Sequence, residues 1–433
     1  MKHLIAMMIL LLMQSAYGQN LKFDSAHTLA LDGYITDGVI LSRTNYDYNL
    51  KREIKEQLMY VIGQMNGLDG GSPDMNRLEI SVNKKERLES GLYKVTYAAK
   101  LFLAWPNDVN FPETYELILP QGGDYNSLNR FFKAFGSDEN SGSKCLDGHA
   151  HDVTQEIFWY YYRPNQNYCT ARLKSTKNKS LVRFQNIQLA VSDQNTKGKS
   201  PEYGKIWEDE KLVATLIFGK GTEGAITEYD AGVSAYKQTI NALIGQYGKP
   251  LTSTVPFGYR FNYGLKNPTI NMTFKTKSGL LDISLYLIEG IRSATSNFRN
   301  SYNERTLVSD YVSYSGHSGL GANIRALANM GEFQAGQYKV FLINGCDTFA
   351  YVDDALRNAH QSVNPEYGKD KFVDVITNAM PSYFHMNYRS NMAIINGMVG
   401  RSKTYKQILR GFDKKQRAVV TGEQDNNWPK SFY

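Results

Sequence analysis

The chain has 433 residues, enough for two or three ordinary domains, and its 42% hydrophobic and 21% charged residues are the balance of a globular protein that buries a core. The formal net charge is +7, but Lys and Arg are scattered with no dense basic run, so charge gives no case for a nucleic-acid partner.

Lys2 precedes a ten-residue apolar run, 4–13, too short to span a bilayer, and Ala16-Tyr17-Gly18 puts small residues at the −3 and −1 positions. This pattern predicts a secretory signal over 1–18, of the short bacterial kind, cut before Gln19. No Cys follows the apolar run, so a lipoprotein anchor is not indicated, and no later segment is long and apolar enough for a membrane helix. The expected mature protein is soluble and exported, either periplasmic or secreted. Of only three cysteines, Cys145 and Cys169 lie 24 apart and suit a disulfide in an oxidising compartment. Cys346 is then an odd thiol, either reactive or buried and inert.

Residues 19–191 read as an α+β domain. Leu50, Ile54, Leu58, Val61, Ile62 and Met65 keep helical spacing, with Asp47 or Asn49 as cap. Leu78, Ile80 and Val82 alternate, and Tyr93, Val95, Tyr97, Ala99, Leu101 and Leu103 alternate more strongly, predicting a hairpin. Tyr115, Leu117 and Leu119 add a strand, and Asp124 starts a helix carrying Leu128, Phe131, Phe132 and Phe135. The aromatic run 158–162 is expected to be a strand, with more strands over 169–191. The polar stretch 192–204, SDQNTKGKSPEYG, is expected to be a cleavable linker.

From 205 to 433 strands and helices alternate. Strands are expected at 212–218, 281–288, 338–343 and 372–376, with another ending at Tyr314. Asp230 caps a helix with Tyr236, Ile240, Leu243, Ile244 and Tyr247 on one face, and 414–428 is expected to fray. This βα order requires crossovers and a mainly parallel sheet. Gly316-His317-Ser318-Gly319 follows one strand and Asn344-Gly345-Cys346 ends another, 29 positions from His to Cys. Parallel strands bring their C-terminal ends to one edge, where open α/β sheets hold their ligands. An imidazole and a helix N-terminus there would favour a thiolate.

A strand ending in a Gly-flanked His, then a strand ending in Gly-Cys, resembles the clan CD cysteine peptidases: caspases, legumains, gingipains, clostripains and separases. The resemblance covers roughly residues 210–400. It implies a three-layer caspase–hemoglobinase-like α/β domain behind the α+β domain, a protein or peptide substrate and no cofactor. By resemblance Cys346 is the nucleophile, His317 the proton donor to the leaving amine, and the backbone N–H groups of Gly319 and Cys346 the oxyanion donors. Two features depart from the family: Ser318 stands where Gly directly follows the His, and the His-to-Cys spacing is shorter than in caspases.

Other patterns carry weaker readings. Gly316-His317-Ser318 resembles a serine-hydrolase elbow, with His360 or His385 as base, but Leu320 stands where the motif has Gly. Gly219 to Gly224 matches G-x-G-x-x-G literally, yet the helix starts late and 240–250 holds no acid, so it reads as a loop at the sheet rim. Cys145, His149, His151 and Cys169 could bind zinc, but a disulfide is the simpler use of the two thiols. A peptidase, a non-catalytic binding or scaffold protein on the same fold, and a serine hydrolase acting through Ser318 remain open at this point.

Overall fold

The computed structural model describes residues 22–422 except 69, 138–144, 167, 197, 257–262 and 369. The expected signal over 1–18, its cleavage point at Gln19 and the last residues, 423–433, lie outside the described residues.

The first half gives β1 (Lys22–Ser25), β2 (Thr28–Ser42), α1 (Asp47–Leu58), α2 (Tyr60–Leu68), β3 (Ser72–Arg87), β4 (Tyr93–Pro106), β5 (Thr114–Pro120), α3 (Tyr125–Phe135), α4 (Phe158–Tyr161), α5 (Cys169–Lys174) and β6 (Val182–Val191). Strands β3-β4-β2-β6-β5, in that order, form an antiparallel sheet. Its apolar face packs on α1, α2 and α3, and Asp124 caps α3 by accepting from the backbone N–H groups of Asn126 and Ser127. Cys145 and Cys169 are joined, with Cα atoms 5.3 Å apart.

Two expectations fail here. The aromatic run is the helical turn α4 rather than a strand, and 169–174 is helix α5. Phe158 and Tyr162, four apart, meet on one face of that turn and pack edge-on against Tyr60, with Phe131 in the same cluster. That burial outweighs the strand propensity of aromatic residues.

The second half gives α6 (Tyr203–Ile206), β7 (Lys211–Gly219), α7 (Ala231–Tyr247), β8 (Thr252–Ser253), β9 (Thr269–Thr276), β10 (Gly279–Ile288), α8 (Ser296–Val308), β11 (Tyr311–Ser315), α9 (Ala322–Ala328), β12 (Lys339–Asn344), α10 (Thr348–Tyr351), α11 (Ala355–Val363), β13 (Val373–Asn378), α12 (Asn387–Gly400), α13 (Tyr405–Leu409) and β14 (Ala418–Gly422). Their sheet runs β1-β14-β13-β12-β11-β7-β10-β9-β8. The five strands β10-β7-β11-β12-β13 are parallel; the outer neighbours on both sides are antiparallel. One face packs on α7, α12 and α13, the other on α8, α9 and α11, which gives three layers. Both faces are covered, so β11, β12 and β13 are buried along their whole length.

The division of the chain differs from expectation in three places. β1 belongs to the larger sheet, paired with β14, so the unit expected over 19–191 starts inside the other half. β14 is a buried strand where fraying was expected. The segment 192–204 is docked: Phe23 N–H donates to Gln194 O at 2.8 Å, and Asn195 exchanges two hydrogen bonds with the Ala30 backbone. Lys199 is buried and pairs with buried Asp374 at 2.7 Å, beside the hydroxyls of Tyr338 and Tyr405. Its polar composition satisfies buried partners instead of facing water. Lys199→Ala, which leaves the Asp374 carboxylate buried without its cation, is expected to lower stability by about 3–5 kcal/mol in urea-induced unfolding; a change under ~1 kcal/mol would contradict this docking.

Candidate active site

The loops after β7, β11, β12 and β13 meet at one sheet edge and enclose a cavity of about 510 Å³. The chain changes direction across the sheet between β7 and β11, the switch point at which such sheets open a crevice. Tyr229 enters the cavity after β7, Gly316 and His317 after β11, Cys346 after β12, and Phe384 and His385 after β13.

The sheet register sets the two expected residues side by side. The last pair of β11 and β12 is Ser315 with Asn344, and His317 and Cys346 each follow two residues later. The turns touch: a Cβ on Gly345 would lie 2.9 Å from Gly316 O and 3.2 Å from Ser318 N, so glycine is required for that approach. Beneath them a buried amide network fixes the strand ends. Asn344 donates to Asn387 Oδ1 at 3.0 Å and accepts from Asn378 at 2.8 Å and Gln416 at 2.9 Å, while Asn391 donates to Ser315 Oγ at 3.2 Å. Asn344 is thereby satisfied at both its oxygen and its nitrogen where water cannot reach.

The His317 backbone carbonyl accepts from Tyr314 OH at 2.8 Å and Asn323 Nδ2 at 2.9 Å. The ring is exposed, packs edge-on against Phe384 at 5.2 Å, and sets Nε2 3.0 Å from Gly221 O. A carbonyl only accepts, so Nε2 carries the hydrogen and Nδ1 is the acceptor of the neutral ring. Cys346 is half-buried, and its Sγ donates to Ser382 O at 3.9 Å. Ring and thiol share the cavity wall without a hydrogen bond between them.

The thiol is not activated at rest. Burial, and then the neighbouring Asp347 carboxylate, push it up to about 11, against a weaker opposing pull from the Ser382 contact. The helix expected to favour a thiolate is the single turn α10, whose four residues carry little dipole. Gly319, the other expected oxyanion donor, is not among the residues lining the cavity. Gly319, Leu320 and Gly321 all take positive φ, a left-handed run directly after Ser318.

The remaining motifs resolve differently. Ser318 is buried and outside the cavity, and His360 is locked between Phe333 and Phe341, driven down to about 3 by burial and by Lys339, so neither serves a serine mechanism. In the Gly219 to Gly224 loop, Asp230 accepts from the N–H groups of Gly221, Thr222, Gly232 and Val233 at 2.9–3.1 Å. Burial works against that carboxylate, yet the four amides hold it below its usual range, and it takes up the donors that a bound phosphate would need. The bonded pair Cys145–Cys169 offers no thiolate to zinc, and among the described residues no cluster of three His, Cys, Asp or Glu could hold a metal. His385, weighed in the sequence only as a base for Ser318, lines this cavity beside Phe384, which the sequence did not single out.

Compared with models of known families the chain matches none, and no curated protein matches it.

Because a protonated thiol is a poor nucleophile, iodoacetamide should alkylate Cys346 at pH 7 on the order of 100-fold more slowly than free cysteine, and faster as pH rises toward 11. Mass spectrometry of the folded protein checks this; an ordinary profile centred near ~8.5 would contradict the buried, carboxylate-flanked thiol.

Proposed function

We propose that the chain is an exported cysteine peptidase of the caspase–hemoglobinase type, cleaving a protein or peptide substrate through Cys346 and His317. The observation that carries this reading is their shared cavity at the C-terminal edge of adjacent parallel strands. The βα order and the three layers around a mostly parallel sheet agree with it. Export is supported by the leader pattern and by the Cys145–Cys169 bond, and no helix among the described residues is long and apolar enough to cross a membrane.

With the thiol protonated at rest, its proton leaves as attack begins rather than beforehand. The sulfur adds to the scissile carbonyl carbon and the thiol proton passes to His317. The carbonyl electrons move to oxygen, and in this reading the Cys346 backbone N–H donates to it. Collapse restores C=O and breaks the C–N bond, while His317 returns the proton to the departing amine. Water then adds to the thioester, releasing the carboxylic acid and the thiol.

A second reading, a peptide-binding module with an inert thiol, is favoured by the raised thiol and by the contact of His317 Nε2 with Gly221 O. Incubation with a diverse peptide library decides between them. Wild type should cleave, Cys346→Ala should not, and His317→Ala should lose roughly 10²–10⁴-fold in kcat/KM. Equal binding of peptides by wild type and Cys346→Ala, with no cleavage by either, would establish the binding module instead.

A further inference from the structure

Asp347, directly after the thiol, is fully buried and sits in the left-handed region at φ 51°. Its carboxylate accepts from Asn66 Nδ2 at 2.7 Å and from Tyr160 OH at 2.8 Å. Asn66 belongs to α2 and Tyr160 to α4, so both donors come from the antiparallel-sheet half of the chain. Arg163 fastens those two helices together, donating to the carbonyls of Gly63 at 2.7 Å and Tyr160 at 3.0 Å and to the Asp147 carboxylate. The turn that follows Asp347 enters the same core: Tyr351 packs edge-on against Trp159 at 6.0 Å.

We infer that Asp347 is a positioning residue for the Cys346 thiol, held in place by Asn66 and Tyr160, so that the N-terminal half completes the nucleophile's site. The inference rests on the peptidase reading of Cys346, and it assigns the N-terminal half a direct part in that site. A left-handed aspartate is locally uncomfortable backbone, and two donors on its side chain fix the backbone that carries Sγ.

The charge of Asp347 supplies a readout that a simple structural clasp would not. Burial raises its carboxyl to about 7, opposed by Tyr160, Arg163 and Asn66. Arg163, Tyr160, Tyr351 and the thiol face it; Tyr161 and, from β11, Tyr314 also face the thiol, and His317 shares its cavity. When Asp347 ionises, the thiol becomes harder to deprotonate. As pH rises, the alkylation rate of Cys346 should therefore climb with the thiolate fraction but flatten into a shelf near pH ~7, where Asp347 gains its charge.

The test measures iodoacetamide alkylation of Cys346 from pH 5 to 9 in the full-length protein, with thermal unfolding recorded for each variant. Asp347→Asn should abolish the shelf and raise the rate above pH 8 by roughly three- to tenfold. Asn66→Ala and Tyr160→Phe should move the shelf to higher pH, since each removes a donor to the ionised carboxylate. If Asp347→Asn does not fold, Tyr160→Phe carries the test alone. A profile of Asp347→Asn superimposed on wild type, or shelves unmoved in folded Asn66→Ala and Tyr160→Phe, overturns the inference. Peptide cleavage by wild type and Cys346→Ala, run in parallel, keeps the two claims apart: no cleavage by wild type sinks the peptidase reading, whereas cleavage by wild type with an Asp347→Asn profile superimposed on it sinks the positioning role alone.

Discussion

The parallel pairing of β11 with β12 is the constraint on which the site depends. Ser315 opposite Asn344 ends the ladder, and each strand then has two residues in which to reach its functional side chain. A slip of one residue would turn every side chain of either strand to the other layer, exposing Val312 or Phe341 to the wrong core. The bonds that Asn344 makes to Asn378, Asn387 and Gln416 make that slip more costly, because a shifted strand would break them in a buried place. The same network ties β12 to β13 and to the start of α12, so the third wall of the cavity is set by the interactions that set the first two.

The antiparallel half is bound into this arrangement rather than appended to it. β1 closes one edge of the larger sheet, the 192–204 segment lies across both halves, and Ala350 and Tyr351 of α10 are buried in the core of the smaller sheet. Phe349 bridges in the same way, packing with Phe23 and Phe102. The residue chain from Cys346 through α10 thus starts on one sheet and ends in the core of the other.

Much of the larger sheet was legible because strands buried on both faces read as short apolar runs, and 338–343 and 372–376 are such runs. Asp124 and Asp230 signalled their helices because capping is a local interaction. The long strand β2 was not legible: Asp32, Gly33, Asp37 and Gly38 interrupt its pattern, and its register shifts between Ile35 and Gly38. Gly38 tolerates no side chain against Tyr97, a requirement set by a residue far along the chain. The meeting of His317 and Cys346 followed from strand order, but their electrostatics did not, since the burial of the thiol and the charge of Asp347 depend on Asn66 and Tyr160, which lie 281 and 187 positions from Asp347. The docked 192–204 segment was misleading because its polar residues are those that buried partners need.

The most direct measurement of the central claim, that Cys346 and His317 act together on a peptide carbonyl, is covalent capture by a peptidyl acyloxymethyl ketone. An electrophile seated like a substrate alkylates a thiol that rest-state burial keeps protonated only if the cavity brings the ketone's methylene carbon to Sγ, the S–C bond forming as the acyloxy group leaves as carboxylate, and the ring takes the thiol proton. Intact mass of the folded wild type should show one adduct, mapped to Cys346, whose formation is at least ~100-fold slower in His317→Ala and absent in Cys346→Ala. Capture at the same rate with and without the imidazole, or no adduct on folded wild type, would contradict it.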